Sequence, residues 1–186
     1  MAIYEYRTEP LTDFSKEENR KKYEEALKKV GSELGGNYPL VIGGRQIYTK
    51  NVYTSVNPAN HSQKIGTICQ AGIKEADEAM EAALKAFETW KKTDAKVRAG
   101  ILFKLAAIMK RERFEFNAIM TLEAGKPWIE ADADTAEAID FLEYYGRQML
   151  SLERIDDAVL SRRDIEKNEY RYIPLGVGAI ITPWNF

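Results

Sequence analysis

Val177-Gly178-Ala179-Ile180-Ile181-Thr182-Pro183-Trp184-Asn185-Phe186 sets a continuous apolar run directly before a proline, an indole and an amide. Runs of this kind belong to strands covered on both faces, the habit of parallel sheets in α/β folds. Ligands in open α/β sheets bind outside the carboxyl ends of the strands, so Thr-Pro-Trp-Asn-Phe reads as the lip of a binding crevice. A parallel strand reaches its partner through a crossover, usually a helix. No sequence for that crossover follows Phe186. The expectation is the first part of a larger enzyme, with a strand that has no partner among these residues.

Working back from that strand, Pro174-Leu175-Gly176 turns the chain into it. Ala158-Val159-Leu160 and Glu169-Tyr170-Arg171-Tyr172-Ile173 flank the charged turn Arg162-Arg163-Asp164 and are expected to pair as an exposed two-stranded ribbon. Such ribbons are marginal alone and dock on other surfaces.

Before the ribbon the period is helical. Ala76, Ala79, Met80, Ala83, Leu84, Phe87 and Trp90 recur at three- and four-residue steps, and Ile101, Leu102, Leu105 and Met109 repeat the pattern, which predicts two amphipathic helices packed on each other. A third helix, Phe114 to Ala124, is closed by Gly125-Lys126-Pro127, with glycine at the cap and proline just beyond. A fourth begins near Trp128, with the stripe Ala138, Phe141, Leu142, Tyr145, Met149 and Leu152.

Residues 38 to 72 change period. Tyr38 to Ile42 and Arg45 to Tyr48 flank Gly43-Gly44, a hairpin signal, while Tyr53 to Val56 and Lys64 to Ile68 flank an Asn-Pro-Ala-Asn turn, so a small antiparallel sheet is expected. Ahead of it, Tyr23, Ala26, Leu27 and Val30 share one helical face, Ser15 and Glu18 have capping-box spacing, and Gly31 with Gly35-Gly36 ends the helix. The division predicted is a helical lead-in over 1–36, small sheet and helical layer over 37–154, ribbon over 155–173, and the incomplete first strand of a cofactor domain over 174–186.

Composition narrows the function. The 27 basic and 29 acidic residues give a formal charge of -2, which provides no electrostatic footprint for nucleic acid. No run approaches the length of a membrane span, and the first residues have neither a basic nor an apolar leader region, so the expected compartment is the cytoplasm. One cysteine, Cys69, and one histidine, His61, exclude an internal disulfide and a Cys/His zinc cluster. Cys69 lies in a β-like stretch without a neighbouring cation to generate a thiolate, so it reads as a small apolar residue, and His61 as a surface loop residue.

The fourth helix carries Glu130, Asp132, Asp134, Glu137, Asp140 and Glu143. Charge runs usually form a solvated face, and on the residues alone Glu137 is either a surface acid or, at the margin of the apolar stripe, a carboxylate facing a cleft. Trp184 and Phe186 are equally compatible with core aromatics, and Asn185 with a buried amide that satisfies backbone groups.

The closing Ile-Thr-Pro-Trp-Asn-Phe, with Asn57-Pro58-Ala59, Ala86-Phe87-Glu88-Thr89-Trp90 and Glu123-Ala124-Gly125-Lys126-Pro127, resembles the amino-terminal part of the aldehyde dehydrogenase superfamily over nearly the whole chain. The stretch from Trp128 through Glu130-Ala131-Asp132-Ala133-Asp134-Thr135-Ala136-Glu137-Ala138 to Phe141 is similar to the bacterial 1-pyrroline-5-carboxylate dehydrogenases. The resemblance implies an α/β fold whose helical layer and small antiparallel sheet precede the first strand of a Rossmann-like domain. It also implies NAD-dependent oxidation of L-glutamate γ-semialdehyde, a small-molecule aldehyde, by a homo-oligomer. Residue by residue, it gives Asn185 the role of oxyanion donor and Ile181, Thr182, Pro183 and Trp184 the nicotinamide side of the NAD site. Glu137 and Phe186 would border the substrate.

The family's nucleophilic cysteine, general-base glutamate and ribose-binding lysine motifs do not occur in these residues, so the chain alone is expected to be inactive. The alternatives are another semialdehyde dehydrogenase of the superfamily, or a non-catalytic module that associates with complete subunits.

Overall fold

The structure is a computed structural model that describes residues 5–155, 159–163, 166–170 and 172–182. Residues 5–16 form an irregular strap ahead of helix α1 (Glu17–Glu33). Glu17 and Glu18 occupy the first turn of α1, where carboxylates complement the positive end of the helix dipole. The expected capping box is absent: Ser15 donates its amide and hydroxyl to Asp13 in a local turn, at 3.0 and 2.6 Å, and Glu18 instead pairs with Lys22 one turn on. Nor does Gly31 end the helix, which continues to Glu33.

The face predicted for α1 is the buried one. Tyr23, Ala26 and Val30 face inward, with Ala26 and Val30 packing on Ala118 and on Phe114 and Leu122 around it. Tyr23 is 0% exposed; its ring stacks on Trp128 with centroids 4.4 Å apart, and its hydroxyl lies 2.8 Å from Thr121 Oγ1. Because the stack supplies the packing, Tyr23→Phe is expected to cost only about 1 kcal/mol, the net worth of one hydrogen bond. Chemical denaturation would check this, and a loss above about 3 kcal/mol would show that the hydroxyl does more than bond Thr121.

The sheet region differs from the prediction at one point. Strands β2 (Leu40–Ile42) and β3 (Arg45–Ile47) form the expected hairpin, and Gly43 and Gly44 supply the positive φ angles, 57° and 79°, of a two-residue turn. Tyr38, however, belongs to a separate strand β1 (Gly36–Tyr38), which pairs in parallel with β5 (Asn60–Cys69). Pro39 lies at the break and has no N–H to continue a ladder. β5 also pairs antiparallel with β4 (Val52–Asn57), so this three-stranded sheet, in the order β1-β5-β4, is mixed and not antiparallel throughout. His61 is exposed but sits on β5, not in a loop. Cys69 is buried, more deeply than a half-buried residue, with its Sγ accepting the Thr49 amide at 3.3 Å.

Four further helices follow: α2 (Ile73–Trp90), α3 (Ala95–Arg111), α4 (Arg113–Ala124) and α5 (Trp128–Ile155). Gly125, at φ 71°, caps α4 as its position predicts. The expected α2–α3 pair does not form. α3 packs on α5 and α2 lies against β2, where Ala82 comes close to Gly43. No residue of α2 is buried, and Ile73, Met80, Leu84 and Trp90 are exposed.

The interior face of α3 is Ala95, Ala99 and Ala106, while Ile101 and Leu105 point outward. On α5 the buried line is Ala131, Thr135, Ala136, Ile139 and Gly146, whereas Phe141 and Tyr145 from the predicted stripe are exposed and stack on each other. Small residues let helix backbones approach closely, as where Phe103 of α3 fills the space a side chain at Gly146 would take.

Strands β6 (Val159–Arg163) and β7 (Glu166–Glu169) form the antiparallel ribbon, with Arg162 and Arg163 inside the ladder and not in the turn. The return strand stops at Glu169, short of Ile173. Residues 172–182 have no regular structure and join no sheet among the described residues, so Val177–Ile181 is not a formed strand here.

Candidate functional site

The amino-terminal half of α5 does not present its acids as a solvated face. Asp132 is 1% exposed and accepts five hydrogen bonds. Arg113 of α4 grips it with Nε and Nη2 at 2.7 and 2.6 Å, Asn117 donates from 2.9 Å, and the Thr12 amide and hydroxyl of the strap each lie at 2.7 Å. Thr135, one turn along α5, donates to Asn117 Oδ1 at 2.5 Å. Asp140 accepts the Glu9 amide at 2.8 Å, Asp134 pairs with Lys126, and Glu143 pairs with Arg147 and approaches Lys110. These carboxylates fasten the strap, α3 and α4 to α5.

Burial by itself would raise the Asp132 pKa, but the Arg113 guanidinium, Thr12 and Asn117 outweigh it and hold the carboxyl below the ordinary aspartate value. A depressed folded-state pKa contributes stability that is complete above the unfolded-state pKa, about 3.9, and is lost as pH falls through the folded one. Unfolding free energy is therefore expected to fall with acidification below about pH 4, and Asp132→Ala to flatten that slope. Denaturant titrations between about pH 2 and 6 test it; an unchanged slope in the variant would remove Asp132 as the cause. At the other end of the scale, burial raises the Tyr23 pKa, the Thr121 hydroxyl works against it and the nearby Asp132 charge adds to it. That contribution is complete below about pH 10 and lost as pH rises beyond it.

Two of the motifs quoted from the sequence, Asn57-Pro58-Ala59 and Glu123-Ala124-Gly125-Lys126-Pro127, meet in space. Ser55 of β4, two residues before Asn57-Pro58-Ala59, donates to Glu123 at 3.0 Å, and Pro58 lies against Gly125 so closely that a side-chain carbon there would stand 3.1 Å from its ring. The Asn57 carboxamide closes the turn by accepting the Ala59 amide at 2.8 Å.

Of the residues singled out for chemistry, Glu137 is half-buried on α5, two positions after Thr135 of the Asp132–Thr135 cluster. Ile181 is 90% exposed and Thr182 is exposed. Pro183, Trp184, Asn185 and Phe186 lie outside the described residues. A groove of about 260 Å³ between α1 and α4, lined by Val30, Tyr38, Glu115 and Phe116 among others, contains none of them.

Sequence reasoning missed the Arg113–Asp132 cluster. The available signal was spacing: Asp132 and Thr135 are flanked by Ala131 and Ala136, and Arg113 and Asn117 are four apart beside Ala118, so both polar pairs lie on the small-residue faces that helices bury.

A 1-pyrroline-5-carboxylate dehydrogenase of Bacillus cytotoxicus is 55% identical over 184 residues, covering 99% of this chain and 35% of that relative. The crystal structure of a Thermus 1-pyrroline-5-carboxylate dehydrogenase with bound NAD superposes with a TM-score of 0.86 at 43% identity, over 94% of this chain and 34% of that one. A Mycobacterium tuberculosis Δ-pyrroline-5-carboxylate dehydrogenase shares the fold, with a TM-score of 0.73 at 24% identity over 82% of this chain and 29% of its own. The chain thus spans about a third of the length of these relatives. The helical layer, the small sheets and the packed Asn-Pro-Ala and Glu-Ala-Gly-Lys-Pro turns form part of an aldehyde dehydrogenase-like α/β fold, residues 47–186 match the aldehyde dehydrogenase family, and the chain belongs to that family.

Proposed function

We propose that this chain works as part of an NAD-dependent 1-pyrroline-5-carboxylate dehydrogenase that oxidises L-glutamate γ-semialdehyde to L-glutamate in proline and arginine breakdown. The observation that carries this reading is 55% identity to a dehydrogenase of that name across 99% of the chain. Support for the cofactor comes from the NAD held by the Thermus relative, and NAD when bound supplies the hydride acceptor. Ile181 and Thr182 are exposed among the described residues. With Pro183 and Trp184 these residues form one side of the nicotinamide site.

Asn185 donates its side-chain amide to the oxyanion that develops at the aldehyde carbon, and Phe186 walls the approach. Glu137 offers a carboxylate to the ammonium group of an amino-acid semialdehyde. The nucleophile and general base come from residues outside 1–186; Cys69 is buried against Thr49 and does not serve. Residues 37–154 and 174–186 belong to the cofactor domain, 1–36 is its lead-in, and the ribbon within 155–173 serves oligomerisation in a cytoplasmic homo-oligomer. No helix among the described residues is long and apolar enough to cross a membrane.

The test is an assay of the pure chain with semialdehyde and NAD, alone and mixed with the remaining two-thirds of the Bacillus relative. The expected result is no NADH from the chain alone and activity from the mixture. NADH from the chain alone overturns the reading, and association without activity favours a non-catalytic interaction module. In the active mixture, Glu137→Ala is expected to lower selectivity for the glutamate semialdehyde over simpler aldehydes about tenfold, on the scale of one charged hydrogen bond. Unchanged selectivity would favour a different semialdehyde as substrate.

A further inference from the structure

The strap is held differently from everything beneath it. Among the described residues no backbone-to-backbone hydrogen bond ties 5–12 to the rest of the chain. The Glu9 and Thr12 amides end instead on the carboxylates of Asp140 and Asp132, at 2.8 and 2.7 Å. Arg113 Nη1 donates to the Pro10 carbonyl at 2.9 Å, and Glu9 also pairs with Lys110 at 3.0 Å. Apolar anchoring is slight: Leu11 is exposed, and Tyr6 meets Tyr144 edge to face.

From residue 13 to the end of the strap the attachment changes. Phe14 packs on Tyr23 and Trp128, the Asp13 carbonyl accepts from Asn19, and Arg20 donates to the Phe14 and Ser15 carbonyls. That turn leads into α1, which begins at Glu17.

We propose that residues 5–12 form a latch that opens as a unit about Asp13–Phe14 while α4 and α5 stay packed. When Thr12 leaves, Asp132 keeps both bonds from Arg113 and the one from Asn117, and Thr135 still ties Asn117 to α5. The charged pair therefore survives opening. Segments fastened by side-chain polar bonds, with little apolar burial and no backbone ladder, are drawn from the low-stability end of a structure. Opening uncovers the Nη1 edge of Arg113 and the Asp140 carboxylate.

Residue-resolved amide hydrogen exchange on the intact chain tests the latch. In the wild type the Glu9 and Thr12 amides should be protected and exchange at a common rate, faster than the amides of Ala118 and Ala136. Asp140→Ala should accelerate both strap amides together by about ten- to a hundredfold, as loss of a charge-assisted hydrogen bond implies, with the two helix amides changed less than about twofold. Thr12→Val should reproduce the coupling from the other end by accelerating Glu9. Acceleration of Glu9 alone in Asp140→Ala, equal acceleration of the helix amides, or unprotected strap amides in the wild type would each overturn it.

Discussion

Asp132→Ala is expected to lower the unfolding free energy by about 3–5 kcal/mol, the cost of leaving one member of a buried ion pair without its partner. Natural domains have only about 5–15 kcal/mol in total, so the variant should be close to unfolded at moderate temperature. After the substitution Arg113 stays buried between α4 and α5 with Glu9 and the Pro10 carbonyl as its remaining partners among the described residues, and Asn117 and Thr12 lose their acceptor. Asp132→Asn keeps the shape but turns an amide N–H₂ towards donors, so it should lie between wild type and alanine. Replacing both charges, Arg113→Met with Asp132→Leu, should recover part of the loss, because no uncompensated charge is then buried. Urea midpoints for the four proteins decide it, and a loss below about 1 kcal/mol in Asp132→Ala would mean that the site relaxes or floods with water.

In the mixture of this chain with the complementary two-thirds of a relative, Asn185→Ala is expected to lower kcat about 100- to 1,000-fold with KM nearly unchanged. A neutral amide aimed at a developing oxyanion acts in the transition state and little in the ground state, so its removal is felt in kcat and not in binding. Asn185→Asp should be at least as damaging, since a carboxylate repels the charge that the amide stabilises. Thermal denaturation of the variants separates this role from a buried structural amide. Loss of stability with kcat intact would assign Asn185 to the core and leave the oxyanion to other donors.

The two predictions differ in how visible their residues were. Asn185 and its neighbours have their roles from the resemblance carried by the order of motifs, and they lie outside or at the edge of the described residues. Asp132 could not be named from the sequence, because it sits in a run of acids and such runs are usually solvated. The hairpin at Gly43-Gly44, the cap at Gly125 and the inward face of α1 were legible because each depends on local backbone geometry or on one dominant apolar face.

The partners of α2, α3 and α5 were not legible. A stripe of large apolar residues shows that a helix has something to bury, not where. On α3 and α5 the contact inside this chain was made mostly by small residues, together with Ile139 and Phe103, whereas Ile101, Leu105, Phe141 and Tyr145 face outward. The strand expected at Val177–Ile181 fails for the related reason that a ladder needs two sides.

Helix α2 makes a separate statement about how the molecule melts. Eighteen residues that bury none of their number fully share less packing with the core than the other helices, so their coil transition leans more on intrinsic propensity and on local bonds such as that from the Gly72 amide to Glu75. The rest of the helical layer unfolds through the loss of shared packing. Ellipticity and heat absorption therefore weigh α2 and the packed layer differently, and α2, held through its contact with β2, is expected to loosen first on heating.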